Sequence, residues 1–188
     1  MSETIEGHRK TDPGYHVGQE AFGAATMVGD SDLLALRSAA MRQKEAFLAY
    51  RRYAMTIADR RLAEIFHHET QEEAAHFIAV NRMAARLDPI QADEFRQHEL
   101  DFLADETVMG DPRVGRAFSH EKVKDPEEWI MALKEAIDLE YHTLNVYQED
   151  ACRAIHPEVK ELLTRIMNHE KKDLAVFIRE LYRLLHRS

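Results

Sequence analysis

Residues 62–87 read LAEIFHHETQEEAAHFIAVNRMAARL, and the spacing of side chains within this stretch decides the fold. Within this stretch, one set of positions follows alternating intervals of four and three residues. The positions are Leu62, Phe66, Glu69, Glu73, His76, Val80, Met83 and Leu87. Such an alternation is the stripe that an amphipathic helix buries in a left-handed bundle. The stretch therefore predicts a helix from about Arg60 to Leu87, ended by Asp88-Pro89, with ionisable groups on its buried side.

Three further segments carry the same alternation, so the sequence predicts four long helices. The first follows the N-cap candidates Asp30, Ser31 and Asp32. Its stripe is Leu36, Ala40, Gln43, Phe47, Tyr50, Ala54 and Ile57. The third helix opens at Asp125-Pro126 and reaches about Ala154, because proline is tolerated in the first helical turn. Its stripe is Leu133, Ile137, Glu140, Leu144, Tyr147 and Ala151. The fourth opens at Pro157 and carries Val159, Leu163, Ile166, Glu170, Asp173 and Phe177.

The connections between these helices predict an all-α, antiparallel four-helix bundle made of two helical hairpins. The helices of each hairpin are joined by short links, near residues 58–60 and 155–157. We predict a single bundle over 31–188, with hairpins at 31–87 and 126–187 and a long crossover at 88–125. The crossover should contain a helix near Gln91–Asp105. Residues 1–30 are predicted to form an N-terminal arm with one short helix around Gln19–Met27.

The two hairpins also resemble each other in sequence. A shift of 97 residues without a gap aligns identical residues in both halves. The aligned pairs include Leu36 with Leu133, Ala39 with Ala136, Tyr50 with Tyr147, Ala54 with Ala151, Glu73 with Glu170 and Leu87 with Leu184. Helical hairpins share some alanine and leucine by chance, but two tyrosines and a buried glutamate in one register are harder to explain that way. The shift predicts an internal repeat.

Composition excludes several classes of function. The 188 residues are 45% hydrophobic and 31% charged, which is typical of one globular domain. A formal net charge of −9 argues against nucleic acid as a partner, because phosphate binding needs a cationic surface. No apolar run approaches the roughly 18 residues of a membrane span, so we expect no membrane partner and a cytoplasmic location. One cysteine, Cys152, cannot form a Cys-x-x-Cys metal module.

The polar residues on the predicted buried stripes indicate a metal site. They are Glu73, His76, Glu140, Glu170 and Asp173, with Glu69 and Gln43 on the same stripes. Burying a carboxylate costs several kcal/mol, and neighbouring carboxylates repel each other. Bound cations offset both costs. Glu73 and His76 are three residues apart and share a helix face, as do Glu170 and Asp173. Under the 97-residue shift Glu140 lies at the same depth, so the groups should converge.

These residues carry a resemblance to a known family. Glu73-Ala74-Ala75-His76 resembles the Glu-x-x-His motif of ferritin-like di-iron carboxylate proteins. Glu140 followed by Tyr147, and the segment HEKKDL at 169–174, resemble a rubrerythrin-type hairpin. Over residues 31–187 the chain is similar to the rubrerythrin-like branch without its rubredoxin domain. The resemblance implies a ferritin-like bundle and two iron ions.

The resemblance also implies roles for the residues. Glu73 and Glu170 would bridge the metal ions, and the terminal ligands would be Glu140, His76, Asp173 and Gln43. Tyr50 and Tyr147 are interpreted as packing residues whose hydroxyls bond to ligand carboxylates. The implied chemistry is activation of oxygen or peroxide, as peroxide reduction or ferrous iron oxidation. A peroxidase of this kind would need an external electron donor, and family members usually form homo-oligomers, here a dimer.

Two departures from the family pattern leave alternatives open. Gln43 stands where the pattern has a glutamate, and Asp173 stands where it has the second histidine. The site could therefore hold one ion, or manganese or zinc, in a non-catalytic protein. Glu69 could compensate for Gln43 as a ligand, but we expect it at a solvated edge. His76 could instead be a hydrogen-bonded core histidine, and arginine could neutralise Glu140 and Glu170.

Overall fold

The chain is all-helical over the residues that the structure describes. The structure is a computed structural model that describes residues 19–110 and 122–186, without the side chains of 19–30 and 105–110. Within these ranges there are five helices and no β-strand beyond one isolated bridge between Ile57 and Val123. The helices are α1 (Gln19–Thr56), α2 (Arg60–Leu87), α3 (Ala92–Gly110), α4 (Pro126–Arg153) and α5 (Pro157–Leu185). No described helix has the length and apolarity needed to cross a bilayer.

Both ends of α2 and α4 and the start of α5 agree with the sequence prediction to within about a residue. Asp59 caps α2 by accepting a hydrogen bond from the backbone nitrogen of Leu62 at 3.0 Å. Asp125 caps α4 through the backbone nitrogen of Glu127 at 2.9 Å. Local capping and proline chemistry sets these boundaries, which is why they can be recognised in the sequence.

The predicted start of the first long helix at residues 30–32 is wrong. Helix α1 begins at Gln19, so the short helix expected around Gln19–Met27 is continuous with it. The carboxylate of Asp32 does not cap α1. It accepts hydrogen bonds from the backbone nitrogens of Ile155 (3.1 Å) and His156 (2.8 Å), in the link between α4 and α5. Residues 1–18 of the predicted arm lie outside the described residues.

The crossover contains the predicted helix, which is α3. Phe102 of α3 packs against Phe77 and Phe47, with ring centroids 4.3 and 4.6 Å apart. Residues 111–121 are not described. At the far end of the crossover, Val123 exchanges backbone hydrogen bonds with Thr56 (2.8 Å) and Ala58 (2.9 Å) beside the link between α1 and α2. These bonds fix the point from which α4 departs.

Helices α1 and α2 pack along each other, as do α4 and α5, and the two pairs touch through α1–α4 and α2–α5. Two large apolar clusters and a smaller one fill the interior, the smaller one formed by Phe47, Ala74, Phe77 and Phe102. One large cluster includes Leu36, Val80, Tyr147, Val159 and Leu163. The other large cluster includes Tyr50, Leu62, Phe66, Leu133 and Phe177. Along α2 and α5 the buried acidic residues lie between the two large clusters, so a polar layer is enclosed by apolar packing on both sides.

Candidate metal centre

The seven candidate ligands are all buried. Their exposed fractions are 0% for Glu170, 1% for Gln43, 2% for Glu140, 3% for Glu73, 4% for Glu69, 7% for His76 and 8% for Asp173. They come from four helices, α1, α2, α4 and α5, because each stripe turns its polar positions to the interior. Burial of so many ionisable groups in one layer needs a compensating interaction.

Glu73, His76 and Glu170 form the middle of the layer. One ligand atom from each lies within 4.8 Å of the others. The Nδ1 atom of His76 is 3.3 Å from Oε1 of Glu170 and 3.9 Å from Oε2 of Glu73. Helix α2 supplies Glu73 and His76 from adjacent turns, and α5 supplies Glu170 from the facing side. Two carboxylates and an imidazole at this spacing suit a divalent cation.

Gln43 and Glu140 attach to this trio through hydrogen bonds, and Asp173 and Glu69 act on Glu73 through their charges. The Nε2 atom of Gln43 donates to Oε1 of Glu170 at 3.0 Å. Glu140 shares a side-chain hydrogen bond with Glu170. Glu69 and Asp173 share another. The structure thus brings together all seven residues that the sequence singled out.

Both tyrosines contact the layer, but the predicted bond to a carboxylate is found for Tyr50 and not for Tyr147. The hydroxyl of Tyr50 donates a hydrogen bond to Oε1 of Glu140. The hydroxyl of Tyr147 accepts one from Nε2 of Gln43 at 2.8 Å and donates to the carbonyl oxygen of Ala39 at 3.4 Å. Burial raises the pKa of both tyrosines well above the usual value, and the nearby carboxylates add to this effect. Both hydroxyls therefore stay protonated and hold the side chains at positions 43 and 140.

The expectation that Glu69 lies at a solvated edge is wrong. Its side chain is buried against Asp173, because α2 and α5 converge at this level. Glu69 also belongs to an outer group with His68 and Glu72, whose ligand atoms lie within 4.8 Å of one another. Glu69 therefore connects the buried layer to side chains nearer the surface.

Mutual repulsion and burial shift the titration of the carboxyl groups. Burial, followed by the charges of Glu170 and other acids, raises the pKa of Glu73 and Glu140 well above the usual value. Burial and Asp173 raise the pKa of Glu69 to about 8. Burial and the charge of Glu72 raise the pKa of Asp173 to about 7.

Glu170 is the exception among these acids. Burial alone would raise its pKa, but the neighbouring His76 and hydrogen bonds from Glu140 and Gln43 outweigh that effect and lower the pKa. Without a cation, therefore, burial and repulsion favour the protonated forms of Glu73 and Glu140, and the contacts of Glu170 favour its charged form.

Among the described residues, no ion pair joins an arginine to Glu73, Glu140 or Glu170. Glu170 is instead paired with His76. Glu180, a buried glutamate elsewhere on α5, shows the contrast. It is bonded to Arg61 at 2.6 Å and to Arg183. The chain thus compensates a buried carboxylate with arginine in one place and leaves the layer around Glu170 without such a partner.

Buried atoms without a hydrogen-bond partner test whether a cation fits. In the layer these atoms are Gln43 Oε1, Glu73 Oε2, His76 Nδ1 and Glu170 Oε2. Three are oxygens and one is an imidazole nitrogen, and all are atom types that bind divalent transition metals. An unsatisfied buried acceptor costs about 1–3 kcal/mol, so a bound cation would remove several penalties at once. The residues present fit a metal ion.

Sequence reasoning missed His169. Its Nδ1 atom lies 3.1 Å from Nε2 of His76, on the side of that ring away from Glu170. His169 is next to a stripe position and not on it, so the 4–3 alternation could not select it. Its place beside Glu170 in the segment HEKKDL was the available signal.

Comparisons of the chain with protein-family models, curated proteins and solved structures found no match. The case for a function therefore depends on the geometry of the buried layer.

Proposed function

We propose that this chain is a metal-binding protein of the ferritin-like kind. In this proposal two helical hairpins, α1–α2 and α4–α5, enclose a di-iron centre that activates oxygen or peroxide. The observation that carries the proposal is the buried layer of Glu73, Glu140, Glu170 and their neighbours, whose only basic ion-pair partners among the described residues are histidines. Buried like charges persist in proteins when a cation or a proton compensates them.

The contacts support a division of roles. Glu73 and Glu170 lie in the middle of the layer, where they could bridge two ions. His76 and Glu140 both contact Glu170 and would each bind one ion. Asp173, with Glu69, would supply oxygen ligands at the opposite end from the Gln43–Tyr147 contact. Iron, when bound, would supply two electrons to an oxygen or peroxide molecule.

The chain's own residues would control access and protons. Apolar clusters on both sides of the layer exclude bulk water from it. Tyr50 would orient Glu140 through its hydroxyl, which favours one carboxylate position over others. As a peroxidase the protein would draw electrons from an external donor. We also propose that the protein works as a homodimer.

A second candidate function is non-catalytic binding of one ion, or of zinc or manganese. One observation favours it. Gln43 is neutral and donates its amide nitrogen to Glu170, so position 43 adds no negative charge to the layer. A site with one carboxylate fewer holds less negative charge, which disfavours a second cation.

Anaerobic loading with ferrous ions, followed by air, separates the two candidates. The di-iron proposal expects two irons per chain and a new ligand-to-metal absorption band on oxidation. One ion that shows no absorption change in air favours the second candidate. The exposed variant Glu161→Gln, on α5, is the control for nonspecific binding to acidic surface. If the wild-type protein binds no more metal than a Glu73→Gln/Glu170→Gln double variant, both candidates fail.

A further inference from the structure

The ring of His76 contacts two different environments through its two nitrogens. The Nδ1 atom faces the acidic layer, 3.3 Å from Oε1 of Glu170. The Nε2 atom lies 3.1 Å from Nδ1 of His169, which is on the facing helix α5. His169 is half-buried, and the two ring centroids are 5.3 Å apart.

The contact between the two rings restricts where the protons can be. Two neutral imidazoles form a hydrogen bond only if one nitrogen of the contact carries hydrogen and the other does not. If His169 donated, the hydrogen of neutral His76 would be on Nδ1, the nitrogen that faces Glu170 at 3.3 Å. That hydrogen would occupy the lone pair that faces the acids, so neutral His76 could not bind a cation there. If His76 donates from Nε2, its Nδ1 lone pair remains free.

We propose that His169 is the positioning residue of His76. It accepts a hydrogen bond from Nε2–H, so the bare Nδ1 nitrogen is the atom that His76 presents to a metal ion. The same bond limits rotation of the His76 ring. The inference rests on the proposed metal site, since a tautomer matters here only if Nδ1 binds a cation. Outer partners of this type commonly fix the tautomer and basicity of a ligating histidine.

The 97-residue shift shows that the His76–His169 pair belongs to one half of the layer. Under the shift His76 corresponds to Asp173, and His169 corresponds to Glu72. The charge of Glu72 acts on Asp173, so the corresponding pair in the other half consists of two carboxyl groups. Two carboxylates cannot set a tautomer. The half with His76 and His169 is therefore the one with a fixed nitrogen ligand.

The test uses the full-length protein titrated with Co²⁺, with two substitutions at one position. His169→Ala removes the acceptor and is expected to weaken Co²⁺ binding about 10–100-fold. His169→Asn places an amide oxygen where Nδ1 was, and it is expected to recover most of the affinity. In proton NMR of the Co²⁺-loaded protein, the shifted N–H resonance of His76 should exchange slowly with water. In His169→Ala this exchange should become faster.

Controls separate the failure of this inference from the failure of the metal site. His142→Ala removes an exposed histidine of α4 and should change neither affinity nor exchange. If His169→Ala leaves both at wild-type values while His76→Ala loses binding, the inference is overturned and the proposed site stands. If His169→Asn binds as weakly as His169→Ala, the tautomer assignment is overturned. If His76→Ala itself binds like the wild type, the proposed site has failed.

Discussion

The side-chain nitrogen of Gln43 donates a hydrogen bond to the hydroxyl oxygen of Tyr147 at 2.8 Å. The 97-residue shift relates this contact to the one between Glu140 and Tyr50. The direction of the bond is reversed between the two, since the amide donates to its tyrosine whereas the carboxylate accepts. Position 43 therefore carries a neutral donor where the other half of the layer has an acid.

This relationship makes Gln43→Glu an informative substitution. The new carboxylate can accept from Tyr147 as Glu140 does from Tyr50, and it adds negative charge to the layer. We expect a second divalent ion to bind roughly tenfold more tightly, equivalent to about 1.4 kcal/mol. The metal-free protein should lose about 1–3 kcal/mol of stability, because a buried donor to Glu170 disappears. Metal titration and urea unfolding measure the two effects.

The matched control for that substitution is Gln71→Glu, on the exposed side of α2. It makes the same chemical change outside the layer and should alter neither quantity. Unchanged affinity for the second ion in Gln43→Glu would mean that position 43 does not face a cation.

Glu73→Gln should separate metal binding from folding. The amide has the shape of a protonated carboxyl group, which is the form that burial favours for Glu73 in the metal-free protein. We expect loss of metal binding, unchanged helix content by circular dichroism, and a metal-free protein at pH 8 that is more stable than the wild type. Exposed Glu161→Gln should behave like the wild type in all three measurements. A Glu73→Gln protein that keeps its metal would show that this residue is not a ligand.

The stability of the metal-free protein should fall as pH rises from about 5 to about 8. Folding raises the pKa of Asp173 to about 7 and of Glu69 to about 8, whereas both are near 4 in an unfolded chain. In this window the folded state binds more protons than the unfolded state, so deprotonation favours unfolding. We expect a loss of at least about 2 kcal/mol in urea unfolding with a chelator present.

At lower pH, other groups should make the stability of the metal-free protein fall as the pH decreases. The pKa values of Asp32 and Glu180 are lowered by their hydrogen-bond partners, so their contribution is lost only as pH falls below about 4. Saturating metal should flatten the dependence between pH 5 and 8, because ligands release their protons on binding. Equal stability of the metal-free protein at pH 5 and 8 would contradict the raised pKa values.

The sequence predicts the helices well where local chemistry ends them. Asp125-Pro126 and Pro157 mark the starts of α4 and α5, and Asp88-Pro89 marks the end of α2. The stripe positions are buried because a helix in a bundle has to bury its apolar side. The polar residues at stripe positions are therefore buried together with the apolar ones. That is why Glu73, Glu140 and Glu170 could be named in advance.

What the sequence could not supply depends on contacts between distant segments. Asp32 looks like a local cap, but its partners are 123 and 124 residues further along the chain. Glu69 is buried because α5 places Asp173 beside it. His169 lies off the stripe and is recognisable only once the two helices are packed. In each case the deciding interaction has no periodic signature along the sequence.

Asp32 offers a last prediction that separates stability from metal binding. Its buried carboxylate accepts from two backbone nitrogens and, at 2.7 Å, from Nδ1 of His156. Asp32→Asn replaces one acceptor oxygen with an NH₂ group that faces donors, so we expect a loss of about 1–3 kcal/mol at pH 7. The difference should shrink as pH falls below about 4, because the carboxylate takes up its proton there in the unfolded chain and at lower pH in the folded one. Metal affinity should be unchanged, because Asp32 bonds to the link between α4 and α5 and not to the acidic layer. Exposed Asp138→Asn on α4 is the control, and a matching loss of metal affinity in Asp32→Asn alone would show that the turn and the metal centre are coupled.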